Sequence, residues 1–480
     1  MKPGKVLVLG AGPTGLTTAY LLAKEGVQVE VLERLPWAGG LCKTFQHGPY
    51  SLDLGPHRFT PHTDEVYGFV KELCGDDLMV VDERVSFYVF GGYLHYPPKL
   101  GQLLRRVAPW EAAALGLSWL WESARGAFRR SADSDESYEQ WMRARFGGKM
   151  VDLIFRPIVE KTWGLPLRDL SWRLARQRVA VSGLGQAVWQ VVTGSRGELY
   201  RSRYYPEGKF FYPRKGFGSI TDRMAEEIRG HGGTIRLESQ VEAINLRDRH
   251  VASVEYSSNG RRNTTIADAV VSVLPATVLP MMLTPVEEDP YLEEVREAAG
   301  HLRFRKLILL YLVVERVPIY EHTVAFFPSG DFIFGRTWEQ GNFSREMMPD
   351  ERSVFGAEIT CWEDDDIWTA DDAQVFERVI PQLEAARVVR RDEVEEYFTV
   401  RLDYVYPVLD RHFEKRLKAV EDYVASVENL WINGRPGLFS YINIHQAIEM
   451  GMVAARHILT WNKAAWQQDR ERFWEYRLIE

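Results

Sequence analysis

Apolar and polar positions follow two rhythms along this chain. Residues 5–9 (KVLVL) form a short apolar run, residues 13–24 switch to helical spacing, and residues 28–32 (QVEVL) return to an apolar run. Short apolar runs bounded by turn residues predict buried strands, and apolar positions three to four apart predict helix. Residues 63–73 predict an amphipathic helix, and 85–94 a hairpin turning at Gly91-Gly92, before Tyr96-Pro97-Pro98 breaks the pattern. From about 99 to 200 strand signal is scarce; 137–146 and 149–159 carry helical periodicity, with Arg and Trp frequent. Alternation resumes with a helix over 218–229 and strands over 233–237, 241–246 and 269–274, the last stopped by Pro275. Residues 304–315 and 353–361 predict strands of a separate antiparallel sheet. Residues 430–433 predict one more strand, followed by a glycine-rich turn and a helix from about 446 to 459.

Strand–helix–strand units recur at both ends and in the middle, which predicts an α/β fold whose Rossmann-type sheet is assembled from separate stretches. The expected division is a first α/β domain at 1–90, an inserted helical domain at 91–210, a return to the first domain at 211–280, an antiparallel-sheet domain at 281–424, and the last part of the first domain with a closing helix at 425–480.

Composition narrows the classes. A chain of 480 residues exceeds one simple core. The net charge of −8 argues against general nucleic-acid binding, which needs a basic footprint. Cys42, Cys74 and Cys361 have no metal-like or paired spacing, so a cytoplasmic, disulfide-free protein without a metal site is expected. No leader is evident, and the run at 112–120 (AAALGLSWL) is too short to span a bilayer; it reads as a buried helix or a peripheral membrane contact. The oligomeric state is left open.

The chemistry-bearing motif is Gly10-Ala11-Gly12-Pro13-Thr14-Gly15, between the first strand and first helix, with Glu33 eighteen positions after the last glycine. Gly10 makes the tight turn, Gly12 lets backbone approach a pyrophosphate, and Gly15 lets helix pack on strand. The helix N-terminus offers N–H groups and partial positive charge to phosphate, and Glu33 stands where a carboxylate would accept from a ribose diol. A second pair, Gly39-Gly40, follows within a few residues. Far downstream, Asn433-Gly434-Arg435-Pro436-Gly437 lies between strand and helix, equally readable as a second ligand contact or an ordinary turn and cap. A cofactor touched by both ends of the chain fits enclosed FAD better than exchangeable NAD.

These residues, with Gly55-Pro56-His57, Lys161-Thr162-Trp163-Gly164, Tyr212-Pro213-Arg214-Lys215-Gly216, Tyr406-Pro407 and Gly434 to Gly437 followed by Tyr441, occur in the order found in an FAD-dependent superfamily. The chain resembles that superfamily, which includes amine oxidases, protoporphyrinogen oxidases, phytoene desaturases and UDP-galactopyranose mutases, and within it looks most like a divergent UDP-galactopyranose mutase. The resemblance implies a GR2-like flavoprotein, with FAD contacts at Gly10, Gly12, Gly15, Glu33, Arg34, Gly39, Gly40, His57, Val241, Gly434, Arg435, Tyr441, Asn443 and Ile444. It implies His57 beside the isoalloxazine and Arg435 near the flavin. It also implies Trp163 in the substrate pocket, Arg178 and Arg336 as a diphosphate clamp using the planar guanidinium fork, and Tyr406 and Tyr441 as donors to phosphate or sugar. His57, Arg336 and Arg435 are the candidate catalytic residues. The bland alternatives are a surface loop for His57, a core position for Trp163 and a solvated basic helix face for Arg178. Arg336 (FIFGRTWEQ) is expected to follow an apolar strand and a glycine. Departures from the mutase pattern include two extra residues after His57, a different sequence around Arg336, and Asn443 where the mutases carry Asp.

The expected function is therefore a flavoenzyme acting on a nucleotide-linked sugar through reduced-flavin N5 chemistry or flavin redox chemistry. The alternative is an FAD-dependent oxidase, dehydrogenase or desaturase acting on an amine, alcohol or C–C bond; a non-catalytic nucleotide-binding role comes third. No second complete dinucleotide motif is present, so NAD(P)H or a protein reductant would deliver electrons from outside.

Overall fold

The computed structural model describes residues 2–89, 91–95, 110, 114, 117–119, 121, 136–178, 202–348 and 351–476. The expected break at 96–98 and most of the apolar run at 112–120 lie outside them.

Five strands form a parallel sheet in the order Leu430–Ile432, Ala269–Ser272, Lys5–Leu9, Gln28–Leu32, Thr234–Arg236. Nearly continuous apolar sequence suits strands covered on both faces, and Val6, Leu7, Val8 and Leu9 are wholly buried. Helices Pro13–Lys24, Ser219–Gly230 and Ile444–Leu459 pack together beside this sheet. A seven-stranded sheet runs in the order Val394–Pro407, Phe304–Val314, Ser353–Cys361, Arg336–Glu339, Val324–Phe326, Val85–Val89, Gly92–His95. It is antiparallel except where Val324–Phe326 meets Val85–Val89. The fold is thus α/β with a Rossmann-type sheet and antiparallel sheets, as the sequence pattern predicts. A four-stranded sheet, Arg261–Thr265, His250–Ser258, Ser239–Arg247, Leu283–Pro285, stands apart from both.

Local chemistry sets the ends of the elements. Thr63 caps helix Asp64–Cys74 by accepting from the Val66 N–H, and Ser137 with Gln140 forms a capping box on Tyr138–Phe146. The helix expected over 149–159 is irregular: Gly148–Met150 passes into a wide π-type turn at Val151–Phe155 and then into Arg156–Trp163. Pro157 lacks an N–H and cannot close the ordinary bond there. The strand expected before Arg336 is absent. Residues 331–335 form a turn, and the strand starts at Arg336. Phe332 and Phe334 instead pack with Phe327 in a second core, formed with residues of helix Asp372–Ala385. All three cysteines are free and buried. Among the described residues, no helix is long and apolar enough to cross a membrane.

Candidate functional site

The first strand ends at Gly10 with φ +106°, and the Gly10 N–H donates to Leu32 O at 2.8 Å. A Cβ at Gly10 would meet Val273 Cγ2 at 2.6 Å, and one at Gly15 would meet Gly10 O at 2.2 Å. A Cβ at Gly12 would meet nothing within 4 Å; Gly12 faces open space. Two glycines are therefore required by protein packing, and the third keeps a cradle clear. Helix Pro13–Lys24 begins there without a side-chain cap, so its first N–H groups and positive dipole end are not served by its own sequence.

That cradle opens into a cavity of about 650 Å³. Gly10, Gly12, Gly15, Glu33, Arg34, Gly40, Val241, Gly434, Asn443 and Ile444 line it, as do His57, Arg336, Tyr406, Arg435 and Tyr441. Gly39 lies behind the lining; its N–H donates to Ala11 O at 2.8 Å and supports the first glycine turn. Glu33 is partly committed as an acceptor. Its two carboxylate oxygens already receive the Ala11 N–H at 2.8 Å and the Leu35 N–H at 2.9 Å, which fixes the group while a second lone pair remains on each oxygen. Asn443 caps helix Ile444–Leu459 in a capping box with Gln446.

Towards the other end of the cavity, Arg435 donates to Ile442 O at 3.0 Å and Val405 O at 2.6 Å, and its guanidinium carbon lies 4.6 Å from the Tyr441 ring centroid. Among the described residues its Nε is buried without a hydrogen-bond partner, and so is His57 Nδ1. The His57 ring stacks on Phe217 with centroids 5.1 Å apart and planes 13° from parallel. Burial, with Arg336 and Arg435 nearby, pushes His57 down to about 3, so it is neutral at physiological pH. Orphaned polar atoms on a cavity lining, beside a glycine cradle and an uncapped helix start, fit a cofactor with a pyrophosphate and a polar ring edge.

Beyond Arg435 a smaller chamber shares Phe326, Arg336, Glu358, Tyr406 and Tyr441 with the large cavity. Lys161, Arg178 and Arg336 line it against one carboxylate, Glu358. The Arg336 fork is not open. Its Nε and Nη2 both donate to Glu358 Oε2, at 2.9 and 2.5 Å, and the Tyr406 hydroxyl donates to Glu358 Oε1 at 2.5 Å. Burial opposes the Arg336 charge, but Glu358 beside it holds the guanidinium above its usual range. The bidentate clamp expected of Arg336 is thus replaced by a buried ion pair, and the Tyr406 proton is committed to the same carboxylate.

Arg178 turns inward, away from the solvated face expected of its helix: its guanidinium carbon sits 4.4 Å from the Trp163 ring centroid and 5.5 Å from that of Tyr441. Arg173 turns to Glu414 instead, at 2.6 Å. Trp163 is wholly buried; it packs on Tyr441 and Tyr406 behind the wall and does not line either cavity. Lys161 Nζ donates to Phe327 O at 2.7 Å and Ser329 O at 2.5 Å, and burial pulls it down to about 8. Sequence reasoning missed Glu358, and placed Lys161 in a motif without giving it a role. A lone acid inside the apolar strand Ser353–Cys361 (SVFGAEITC) was the available signal for the first.

The chain belongs to the flavin-containing amine oxidoreductase family, whose model matches residues 13–459. FAD is its cofactor, and the cradle described above is where the residues fit it. Coproporphyrinogen III oxidase of Staphylococcus aureus (strain NCTC 8325 / PS 47) is 22% identical over 260 residues, which are 50% of this chain and 54% of that protein. The chain thus spans about half the length of the first curated relative it matches. A crystal structure of reduced UDP-galactopyranose mutase superposes with a TM-score of 0.82 at 19% identity, covering 99% of this chain and 100% of that one. A putative protoporphyrinogen oxidase from Exiguobacterium sp. 255-15 gives 0.67 at 17% identity, covering 95% and 98%. At these identities the likenesses establish the fold.

Proposed function

We propose that this flavoenzyme acts on an anionic small molecule, a nucleotide-linked sugar, held against the flavin in the large cavity, with the smaller chamber, of about 40 Å³, admitting no more than a small anionic group. One observation carries the reading: three cationic side chains against one carboxylate line a chamber backed by Trp163, Tyr406 and Tyr441 and sharing a wall with the flavin cavity. Cations and flat rings together suit a diphosphate joined to a base. Bound FAD would supply either a nucleophilic reduced N5 or a hydride acceptor. The chain's own residues do the rest. Arg178 and Lys161 present positive charge to the leaving or anchoring anion, beside the Arg336–Glu358 pair. His57, held neutral, meets the ring without adding charge, and the aromatic wall excludes water. Electrons would come from NAD(P)H or a protein donor. The buried free thiols suit a reducing compartment such as the cytoplasm.

A second reading has its own observation. Glu358 already balances Arg336, which weakens the case for a doubly charged substrate and favours an oxidase, dehydrogenase or desaturase acting on a less charged molecule. Anaerobic titration of the oxidised and reduced holoprotein with UDP and UDP-sugars separates the two. Nucleotide binding that tightens on reduction supports the mutase-like reading. A flavin spectrum indifferent to every nucleotide sinks it and leaves net redox chemistry.

A further inference from the structure

The motif Tyr212 to Gly216 has no place in either cavity except through its neighbour Phe217, yet it converges on one buried group. Asp53 ends the strand Tyr50–Asp53 and is 1% exposed. Its carboxylate accepts from Thr44 Oγ1 at 2.5 Å, from the Phe217 N–H at 3.0 Å and from the Tyr212 hydroxyl. Its backbone carbonyl accepts from the Tyr311 hydroxyl at 2.6 Å and the Gly55 N–H at 2.8 Å. Thr44 Oγ1 also receives the Gly218 N–H at 2.7 Å, and a Cβ at Gly216 or Gly218 would lie 2.5 or 2.3 Å from Thr44 atoms. The glycines of this turn are therefore set by close approach to the partner of Asp53. Two residues beyond Asp53 the chain turns at Gly55, φ +103°, into Pro56 and His57, and His57 lies on Phe217.

We infer that Asp53 is a positioning residue of the flavin site, because its backbone carbonyl ties down the turn that leads to His57 while its carboxylate holds the backbone of Phe217, on whose ring His57 rests. No ion pair neutralises this carboxyl among the described residues. The titratable groups facing it are Tyr212, Tyr311 and Cys42, each raised by burial. Burial likewise pushes Asp53 up to about 6 against the opposing hydrogen bonds from Thr44, Tyr212 and Phe217. The ionised carboxyl accepts three donors; protonated, it gives up acceptor capacity and the setting of His57 loosens. FAD affinity should therefore fall as pH drops through this range.

The test is FAD uptake by the apoprotein, read by flavin fluorescence quenching between about pH 5 and pH 8, with the near-ultraviolet circular dichroism of the flavin-free protein beside it. The wild type should lose about tenfold in affinity towards the acid end, the loss expected when a charged acceptor becomes neutral. Asp53→Asn should bind weakly and uniformly across the range, and should lack the dichroism inflection seen in the wild type. Asp53→Asn that binds FAD as tightly as the wild type, or keeps the wild-type inflection, overturns the assignment. If that variant does not fold, Thr44→Val removes one donor and keeps the carboxyl. Its inflection should move to higher pH, and an unmoved inflection is equally decisive against the inference.

Discussion

The two ends of the large cavity are built in opposite ways. At the pyrophosphate end the recognising surface is backbone: Gly10, Gly12 and Gly15 clear space, a helix start supplies donors, and the whole device fits within residues 5–33. At the end proposed for the substrate the surface is side chain. Lys161, Arg178, Arg336, Glu358, Tyr406 and Tyr441 come from separate stretches of the chain and meet only after folding. The cofactor end is written in one place and tolerates little change. The proposed substrate end is a sum of charges placed by separate elements.

Gly15→Ala should have the largest effect, since its Cβ would sit 2.2 Å from Gly10 O, backbone that cannot yield. Purified variant protein should carry almost no flavin absorbance; retained flavin would break the claim that this end is rigid. Arg178→Ala comes next. Nucleotide affinity should drop by roughly one to two orders of magnitude, as for loss of a charged hydrogen bond, with FAD content unchanged. Loss of FAD in that variant would mean that the two ends are not separable. Glu358→Gln tests the charge account in the other direction. Neutralising the carboxylate frees the Arg336 charge, so anionic ligands should bind several-fold tighter by calorimetry. Weaker binding would show instead that the ion pair positions the arginine. The smallest effect is pH dependence above neutrality. Lys161, lowered to about 8, loses its proton as pH rises through that value. The chamber then loses one positive charge, and anion affinity should decline about two- to threefold in the wild type but not in Lys161→Met.

The same contrast explains what could be read from the chain alone. Strand, glycines, helix and Glu33 lie close together in sequence, so their geometry is implied by spacing, and the parallel sheet follows from the repeat of that unit. Arg336 was legible as a candidate but its partner was not. Nothing local joins it to Glu358, which faces it only because Arg336–Glu339 pairs with Ser353–Cys361 in register. Trp163 was readable two ways, as a pocket wall or as a core position, and packing puts it one layer back from both cavities. The missing strand before Arg336 has a similar cause. Phe332 and Phe334 have strand-like spacing, but a second core of aromatic rings captures them in a turn.

The parallel sheet also has a consequence for how the protein is made. Its central strand, Lys5–Leu9, lies beside Gln28–Leu32, but its other neighbour is Ala269–Ser272, and the edge beyond that is Leu430–Ile432. The cavity lining likewise reaches from Gly10 to Ala447. A ribosome-bound chain therefore holds the complete glycine fingerprint long before it holds a complete cofactor site, and long-range pairing of this kind is slow. Flavin capture then reports that synthesis has passed the last sheet strand, so truncated or stalled chains would remain colourless and open to proteolysis.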